Sequence, residues 1–129
     1  MAPSERLREF WTEWRLATLT TLRPSGLPHV VPVGVTVDEG FAVARVLCSR
    51  GSVKARNVFA AGDEGAPVAV SQVDRARWST LEGRAVVRTD AESVRDAENR
   101  YAERYGRQPR ENPERVVLEI AITRGLGMS

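Results

Sequence analysis

Hydroxyl, cationic and amide side chains are concentrated in one short stretch of the chain. Ser49 and Ser52 come directly after an apolar run, and Lys54, Arg56 and Asn57 follow them closely. A strand that ends in Ser and Gly and continues into a short helix leaves backbone N–H groups unsatisfied at the helix start. The helix dipole also favours an anion there. The spacing therefore predicts a phosphate-binding site formed by these five residues.

Lys54 is the only lysine among the 19 basic residues of the chain. Lysine supplies a compact, rotatable point charge, whereas the planar fork of arginine would demand a different geometry around a phosphate. An ordinary solvated surface cation is the other interpretation of Lys54, since most lysines are exposed. The surrounding Ser-x-Lys-x-Arg-Asn pattern favours the anion site.

The chain contains one histidine, His29, and one cysteine, Cys48. No metal site is predicted, because a structural zinc site normally takes four nitrogen or sulfur ligands. For His29, a hydrogen bond to the edge of a ligand ring and a structural role at a strand start both stay open. Cys48 is interpreted as a small buried hydrophobic residue.

Sequence motifs for side-chain catalysis are missing from the chain. It has no Gly-x-Ser-x-Gly, no His-Glu-x-x-His and no phosphate loop of the Walker type. The carboxylates form no isolated pair on an apolar background. No catalytic side chain is therefore predicted, and if the protein is an enzyme, its chemistry belongs to a bound cofactor.

The segments that must position these residues are predicted mostly as strands. Tight turns at 24–26 and 38–40 indicate an antiparallel meander, and Gly83 indicates a bulge or a close approach. The sequence predicts a mainly β fold, a six-stranded antiparallel split β-barrel with short helices, because closure removes exposed edges. The predicted strands are 16–22, 28–37, 41–47, 67–73, 78–89 and 115–123, and the main helices are 52–59 and 91–105.

Length and composition limit the possible classes of protein. A chain of 129 residues with 42% hydrophobic and 28% charged residues predicts one globular domain, 1–129. The net charge is only +2, and the charged residues form no block of like sign. No nucleic-acid partner is therefore expected. No apolar run approaches the ~18 residues of a membrane span. With no hydrophobic signal core and a single cysteine, a cytoplasmic location is expected.

Four stretches of the chain carry a family pattern: residues 16–34, 51–57, 71–85 and 95–105. On these stretches the chain resembles the pyridoxamine 5′-phosphate oxidase-like split-barrel flavoproteins, and within them the F420-dependent reductases. The resemblance implies a six-stranded split barrel, a homodimer, and two cofactor sites at the subunit interface. F420 is the implied cofactor, with FMN as the alternative.

The resemblance also implies roles for individual residues. The Ser-x-Lys pair of the family corresponds to Ser52 and Lys54, with Ser49 as a neighbouring hydroxyl. The second strand lies along the tricyclic ring of the cofactor in the family, and a later stretch flanks the cofactor, often from the partner subunit. The corresponding residues here are His29, Val31, Pro32 and Val33 on the strand, and Gln72 and Trp78 on the later stretch.

The activity implied by the resemblance is hydride transfer from reduced F420 to a conjugated acceptor, a linear tetrapyrrole such as biliverdin being an example. Arg50, Arg75 and Arg77 are predicted to pair with carboxylates of the acceptor, and an acidic tail on the cofactor would explain them equally well. The C-terminal stretch 124–129 lacks the Arg- and His-containing tail with which pyridoxamine phosphate oxidases hold their substrate. Oxidation of vitamin B6 is therefore not expected.

Two other functions stay open at this point. The same phosphate site would serve an FMN-dependent oxidoreductase. A non-catalytic protein that binds a flavin, haem or a tetrapyrrole is the third possibility. The visible spectrum of the purified protein separates the three, because FMN, F420 and haem absorb differently.

Overall fold

The computed structural model describes residues 3–128, and its strands belong to one antiparallel sheet. The strands are β1 (Ala17–Leu22), β2 (Pro28–Val33), β3 (Thr36–Val37), β4 (Val43–Ser49), β5 (Ala66–Asp74), β6 (Arg77–Arg88) and β7 (Arg115–Gly127). The helices are α1 (Glu5–Thr12), α2 (Val53–Phe59) and α3 (Ala91–Tyr105), with a 3-10 turn at Gly62–Glu64. The predicted mainly β fold with short helices is confirmed. Residues 1, 2 and 129 of the predicted domain lie outside the described range.

The sheet is curled into a split barrel. Its strand order is β2-β1-β5-β6-β7-β4-β3, which puts β2 and β3 at opposite edges. In a flat sheet those edges would be roughly 29 Å apart at the usual strand spacing. Only residues 34 and 35 connect them, and so short a segment spans about 11 Å at most. The connection therefore holds the two edges close together without pairing them.

The connection between β2 and β3 shows that one predicted strand is wrong. The sequence predicts a single strand over 28–37, whereas the structure divides it at Gly34 and Val35 and contains seven strands instead of six within residues 3–128. The Tyr105 hydroxyl accepts a hydrogen bond from the Val35 N–H at 3.0 Å, and Arg104 donates to the Val35 carbonyl at 2.6 Å. Side chains of α3 thus satisfy backbone groups that a continuous strand would have paired within the sheet.

The predicted helix starts are confirmed by their caps. The Ser52 hydroxyl accepts from the backbone N–H of Ala55 at 3.3 Å, and the Asp90 carboxylate accepts from that of Ser93 at 3.0 Å. Apart from the division at 34–35, the largest differences from the predicted strand boundaries lie in β4 and β7. β4 begins at Val43 because Phe41 takes a positive φ of 55° in the preceding turn, and β7 continues to Gly127 along β6.

One hydrophobic core fills the curl of the sheet and receives residues from α1, α2 and six of the strands. Helix α1 is held in place by two buried hydrogen bonds as well as by its apolar face. Trp11 donates from Nε1 to the Ser79 hydroxyl at 2.9 Å, and Gln72 donates to the Phe10 carbonyl at 2.7 Å. Within residues 3–128, no helix is both long enough and apolar enough to cross a membrane.

Candidate functional site

A cavity of about 480 Å³ opens beside the connection from β2 to β3. This volume lies in the range of small-molecule sites, about 300–1,000 Å³. The cavity draws its walls from the end of β2, the end of β4, the first turn of α2, helix α3 and the loop before β7. Its lining residues are Pro32, Val33, Gly34, Leu47, Cys48, Ser49, Lys54, Tyr101, Arg107, Pro109, Arg110, Asn112 and Arg115.

Lys54 and Ser49 are the two members of the predicted phosphate site that line the cavity. Lys54 is partly buried, and its ammonium group is in no ion pair with any residue in the range 3–128. The Ser49 hydroxyl accepts a hydrogen bond from the Asn112 side chain at 2.9 Å, which leaves its own O–H free to donate. Both groups are available to an anion.

Ser52 supports the site without lining it. Its hydroxyl caps α2 and also donates to the Ser49 carbonyl at 2.8 Å. Both of these bonds fix the turn from β4 into α2, the turn that places Lys54 at the cavity. The structure therefore gives Ser52 a positioning role in the phosphate element that the sequence predicts.

Arg56 and Asn57 do not line the cavity. Arg56 is exposed on α2, whereas Asn57 is buried and donates from Nδ2 to the Thr21 hydroxyl at 2.9 Å. This bond joins α2 to β1 inside the protein. The geometry thus supports a structural role for Asn57 and lends no support to a cofactor contact at either residue.

The predicted ring-binding strand is represented at the cavity by Pro32 and Val33. Val31 packs against the core. His29 lies farther along β2, opposite Thr21, and its buried Nδ1 atom has no hydrogen-bond partner within residues 3–128. The apolar wall at the end of β2 fits one side of a planar ring, while the ring-edge contact predicted for His29 stays a prediction.

Gln72 and Trp78 have different environments. Gln72 is 2% exposed, and its amide donates to the Phe10 carbonyl and accepts from Arg104 at 3.1 Å, so both of its polar groups are used inside the protein. Trp78 is 46% exposed and lies opposite Val73, which is 67% exposed. The cofactor contact predicted for Gln72 gains no support, and Trp78 belongs to an exposed apolar patch.

The three arginines predicted to bind acceptor carboxylates lie outside the cavity lining. Arg50 is near Glu114, with 3.9 Å between their charged groups. Arg77 contacts Asp74 at 2.5 Å and lowers the pKa of that carboxyl through the hydrogen bond. Arg75 is exposed in the β5–β6 turn with a φ of 58°. The structure does not bring the three together with the phosphate site.

The sequence reasoning missed the loop between α3 and β7, which contributes Arg107, Arg110 and Asn112 to the cavity. Arg115 follows the loop and pairs with Glu98 at 2.7 Å. The loop reaches the cavity because β7 pairs with β4, and this pairing places Arg115 opposite Ser49. That register is non-local and has no short-range sequence pattern.

Cys48 lines the same cavity as the Lys54 ammonium group. Burial raises the pKa of its thiol, and the nearby Ser52 hydrogen bond and Lys54 charge oppose this only in part. The thiol is therefore neutral near pH 7 and acts as a small apolar surface, as the sequence predicts.

The electrostatics of the cavity favour an anion. Its lining contains four cationic side chains, and none of its residues within the described range 3–128 is Asp, Glu or His. Of the four, Arg115 alone is paired with a carboxylate among residues 3–128. The same range contains no group of three or more His, Cys, Asp and Glu that could hold a metal ion. The arrangement can bind a phosphate-bearing ligand and orient it.

Known proteins share both the sequence and the fold. The F420H2-dependent biliverdin reductase of Mycobacterium tuberculosis is 53% identical over 118 residues, which are 92% of this chain and 82% of that protein. A solved F420 reductase has a TM-score of 0.70 at 22% identity, covering 92% of this chain and 94% of its own. A conserved hypothetical protein of M. tuberculosis has a TM-score of 0.77 at 23% identity, covering 97% and 84%. The sequence profile described as pyridoxamine 5′-phosphate oxidase matches residues 3–129, and the chain therefore belongs to the pyridoxamine 5′-phosphate oxidase family.

Proposed function

We propose that this protein is an F420-dependent reductase that passes a hydride from reduced F420 to a conjugated acceptor, with biliverdin as the first candidate. The observation that carries the proposal is the 53% identity, over 92% of the chain, to an F420H2-dependent biliverdin reductase. The cationic cavity is the structural feature that such a function needs, because F420 carries a phosphate and several carboxylates. FMN would satisfy the phosphate position alone.

The residues of the cavity fit the cofactor in two ways. Lys54 and the free O–H of Ser49 are the groups that would hold the phosphate, since charge-assisted hydrogen bonds are the stronger ones. Pro32 and Val33 form an apolar wall that suits a planar ring. Because the lining within residues 3–128 includes no carboxylate, an anion can enter without meeting a like charge.

Bound F420 in its reduced form would supply the hydride. The protein itself then has to bind, orient and shield the reacting groups, since holding reactants in the right geometry lowers the entropic part of the barrier. Gly34 lets Tyr101 of α3 pack closely against the end of β2, because a Cβ at Gly34 would be 2.8 Å from the Tyr101 ring. No side chain is assigned as a proton donor.

The proposal predicts that reduced F420, and not reduced FMN, supports reduction of biliverdin by the purified protein. The test follows the recovery of oxidised F420 fluorescence and the loss of the biliverdin absorbance in the same reaction. A reaction without protein measures the uncatalysed rate. Tight FMN binding with no F420-dependent turnover would favour the FMN-dependent alternative, and bound haem without turnover would favour a carrier.

The second part of the proposal is a homodimer. Val73 and Trp78 form an exposed apolar pair at the β5–β6 end of the sheet, and Leu27 and Val30 at the β1–β2 end are 64% and 55% exposed. Each pair is a candidate for a surface that another chain covers, since exposed apolar patches mark such surfaces. A homodimer with an isologous interface is the commonest arrangement of soluble oligomers.

Sedimentation velocity is expected to give twice the 14.3 kDa mass of one chain at micromolar concentration. Val73→Asp should shift the protein toward the monomer, because it places a charge in the apolar contact. Val73→Thr keeps the β-branched shape without the charge and should leave the dimer intact. A monomeric wild-type protein with full cofactor affinity would contradict this part of the proposal.

A further inference from the structure

The connection from β2 to β3 is fixed by two side chains of α3. The Val35 N–H donates to the Tyr105 hydroxyl at 3.0 Å, and the Val35 carbonyl accepts from Arg104 at 2.6 Å. Tyr105 is 6% exposed, and its own proton goes to the Arg15 carbonyl at 3.0 Å or to that of Val35 at 3.2 Å. Both backbone groups of Val35 are therefore held by residues about 70 positions away in the sequence.

Arg104 is bonded to acceptors in three different parts of the fold. Besides the Val35 carbonyl, its guanidinium donates to the Glu13 carbonyl at 2.9 Å and to the Gln72 amide oxygen at 3.1 Å. Gln72 in turn donates to the Phe10 carbonyl at 2.7 Å. Within residues 3–128 no carboxylate pairs with this partly buried cation. A desolvated cation of this kind adds little stability, and what Arg104 supplies is a fixed geometry between the connection, the end of α1 and β5.

The residues just before this connection form the apolar wall of the cavity. Pro32, Val33 and Gly34 line the cavity, and Tyr101 of α3 lines it as well. A Cβ at Gly34 would be 2.8 Å from the Tyr101 ring and 3.2 Å from the Tyr105 ring, so the end of β2 and α3 are in direct contact. The centroids of the Tyr101 and Tyr105 rings are 4.8 Å apart. A displacement of Tyr105 would therefore move both the wall and the Tyr101 ring.

We propose that Tyr105 and Arg104 are positioning residues for hydride transfer, because they determine the place of the apolar wall against which the planar ring of the cofactor lies. The inference rests on the proposed function, since it concerns the same cavity. Lys54 and Ser49, the groups that would bind the phosphate, lie on other elements, α2 and β4. Loss of the hydrogen bonds from α3 should therefore displace the ring and leave the binding of the phosphate intact.

The test uses Tyr105→Phe, which keeps the ring and removes only the hydroxyl, and Arg104→Lys, which keeps the charge and loses the planar fork. Ser79→Ala is the matched control, because it also removes a buried hydroxyl that accepts a hydrogen bond, from Trp11, and Ser79 does not line the cavity. The melting temperature, kcat, the KM for biliverdin and the Kd for F420 are measured for each protein. Two readouts need no turnover: the fluorescence emission of bound oxidised F420, and the hydrogen exchange of the Val35 amide followed by NMR.

Tyr105→Phe is expected to lower kcat about tenfold while the Kd for F420 stays within about threefold, since a misplaced ring costs rate rather than binding. The emission of bound F420 should shift, and the Val35 amide should exchange faster because its N–H has lost its acceptor. Arg104→Lys should lower kcat in the same way. Ser79→Ala should lower the melting temperature by a similar amount and keep the kcat of the wild type.

A wild-type kcat in either α3 variant overturns the inference. An equal loss of kcat in Ser79→Ala also overturns it, because the effect would then reflect a general loss of stability. If Tyr105→Phe does not fold, Arg104→Lys decides alone. If the wild type binds F420 but reduces no biliverdin, the proposed function fails, and unchanged emission and unchanged Val35 exchange in the variants would overturn the inference separately. If the wild type does not bind F420, both fail.

Discussion

Lys54→Ala is expected to weaken F420 binding by about one to two orders of magnitude. A hydrogen bond to a charged group contributes about 1.5–3 kcal/mol, which corresponds to roughly ten- to 150-fold in affinity. Lys54 is partly buried and unpaired within residues 3–128, so the phosphate of the ligand would be its only charged partner. Titration of F420 fluorescence against the variant measures the loss.

Two further variants show whether geometry or charge matters. Lys54→Arg keeps the charge but brings a planar fork, and it should recover only part of the affinity. Arg95→Ala removes an exposed cation outside the cavity and should bind like the wild type. The melting temperature of Lys54→Ala should not fall, because Lys54 forms no ion pair with the residues of the described range 3–128. Wild-type affinity in Lys54→Ala would show that Lys54 is an ordinary solvated cation.

Local patterns predicted most of the fold because local physics determines those parts. The caps at Ser52 and Asp90 place the starts of α2 and α3 where the sequence predicts them. The division at Gly34 escaped prediction, since Val35, Thr36 and their neighbours favour a strand throughout. What divides the strand is the packing and hydrogen bonding of Tyr105 and its neighbours on α3, about 70 residues away.

In the candidate site, too, the residues that are close in sequence could be predicted, and those brought together by strand pairing could not. Ser49, Ser52 and Lys54 are close in sequence, so their proximity in space could be predicted. Arg107 and Arg110 reach the cavity only because β7 pairs with β4, and sequence patterns do not specify which strands pair. For Asn57 and Gln72 the sequence predicts a ligand contact, and the structure adds that both side chains form buried hydrogen bonds within the protein. Burial, which the sequence does not state, separates the two roles.

The largest effect on stability is expected from Gly83→Ala. Gly83 lies at the register shift between β6 and β7, which confirms the predicted bulge. A Cβ there would be 2.2 Å from the Ala121 carbonyl oxygen and 2.9 Å from the Ile120 side chain. Because the nearest atom belongs to a backbone held in the sheet, it cannot rotate away. Overpacking of this kind should cost about 3 kcal/mol and lower the melting temperature by roughly 10 °C.

Gly40→Ala is the matched control for the loss of stability expected in Gly83→Ala. A Cβ at Gly40 would have no atom within 4 Å, and its φ lies outside the left-handed region, so the stability should change by about 0.5 kcal/mol or less. Thermal denaturation of the two variants measures the contrast, and equal melting temperatures would refute the close approach. Gly83 does not line the cationic cavity. Folded Gly83→Ala protein at low temperature should therefore bind F420 like the wild type, because the bulge acts on the sheet and not on the groups around Lys54.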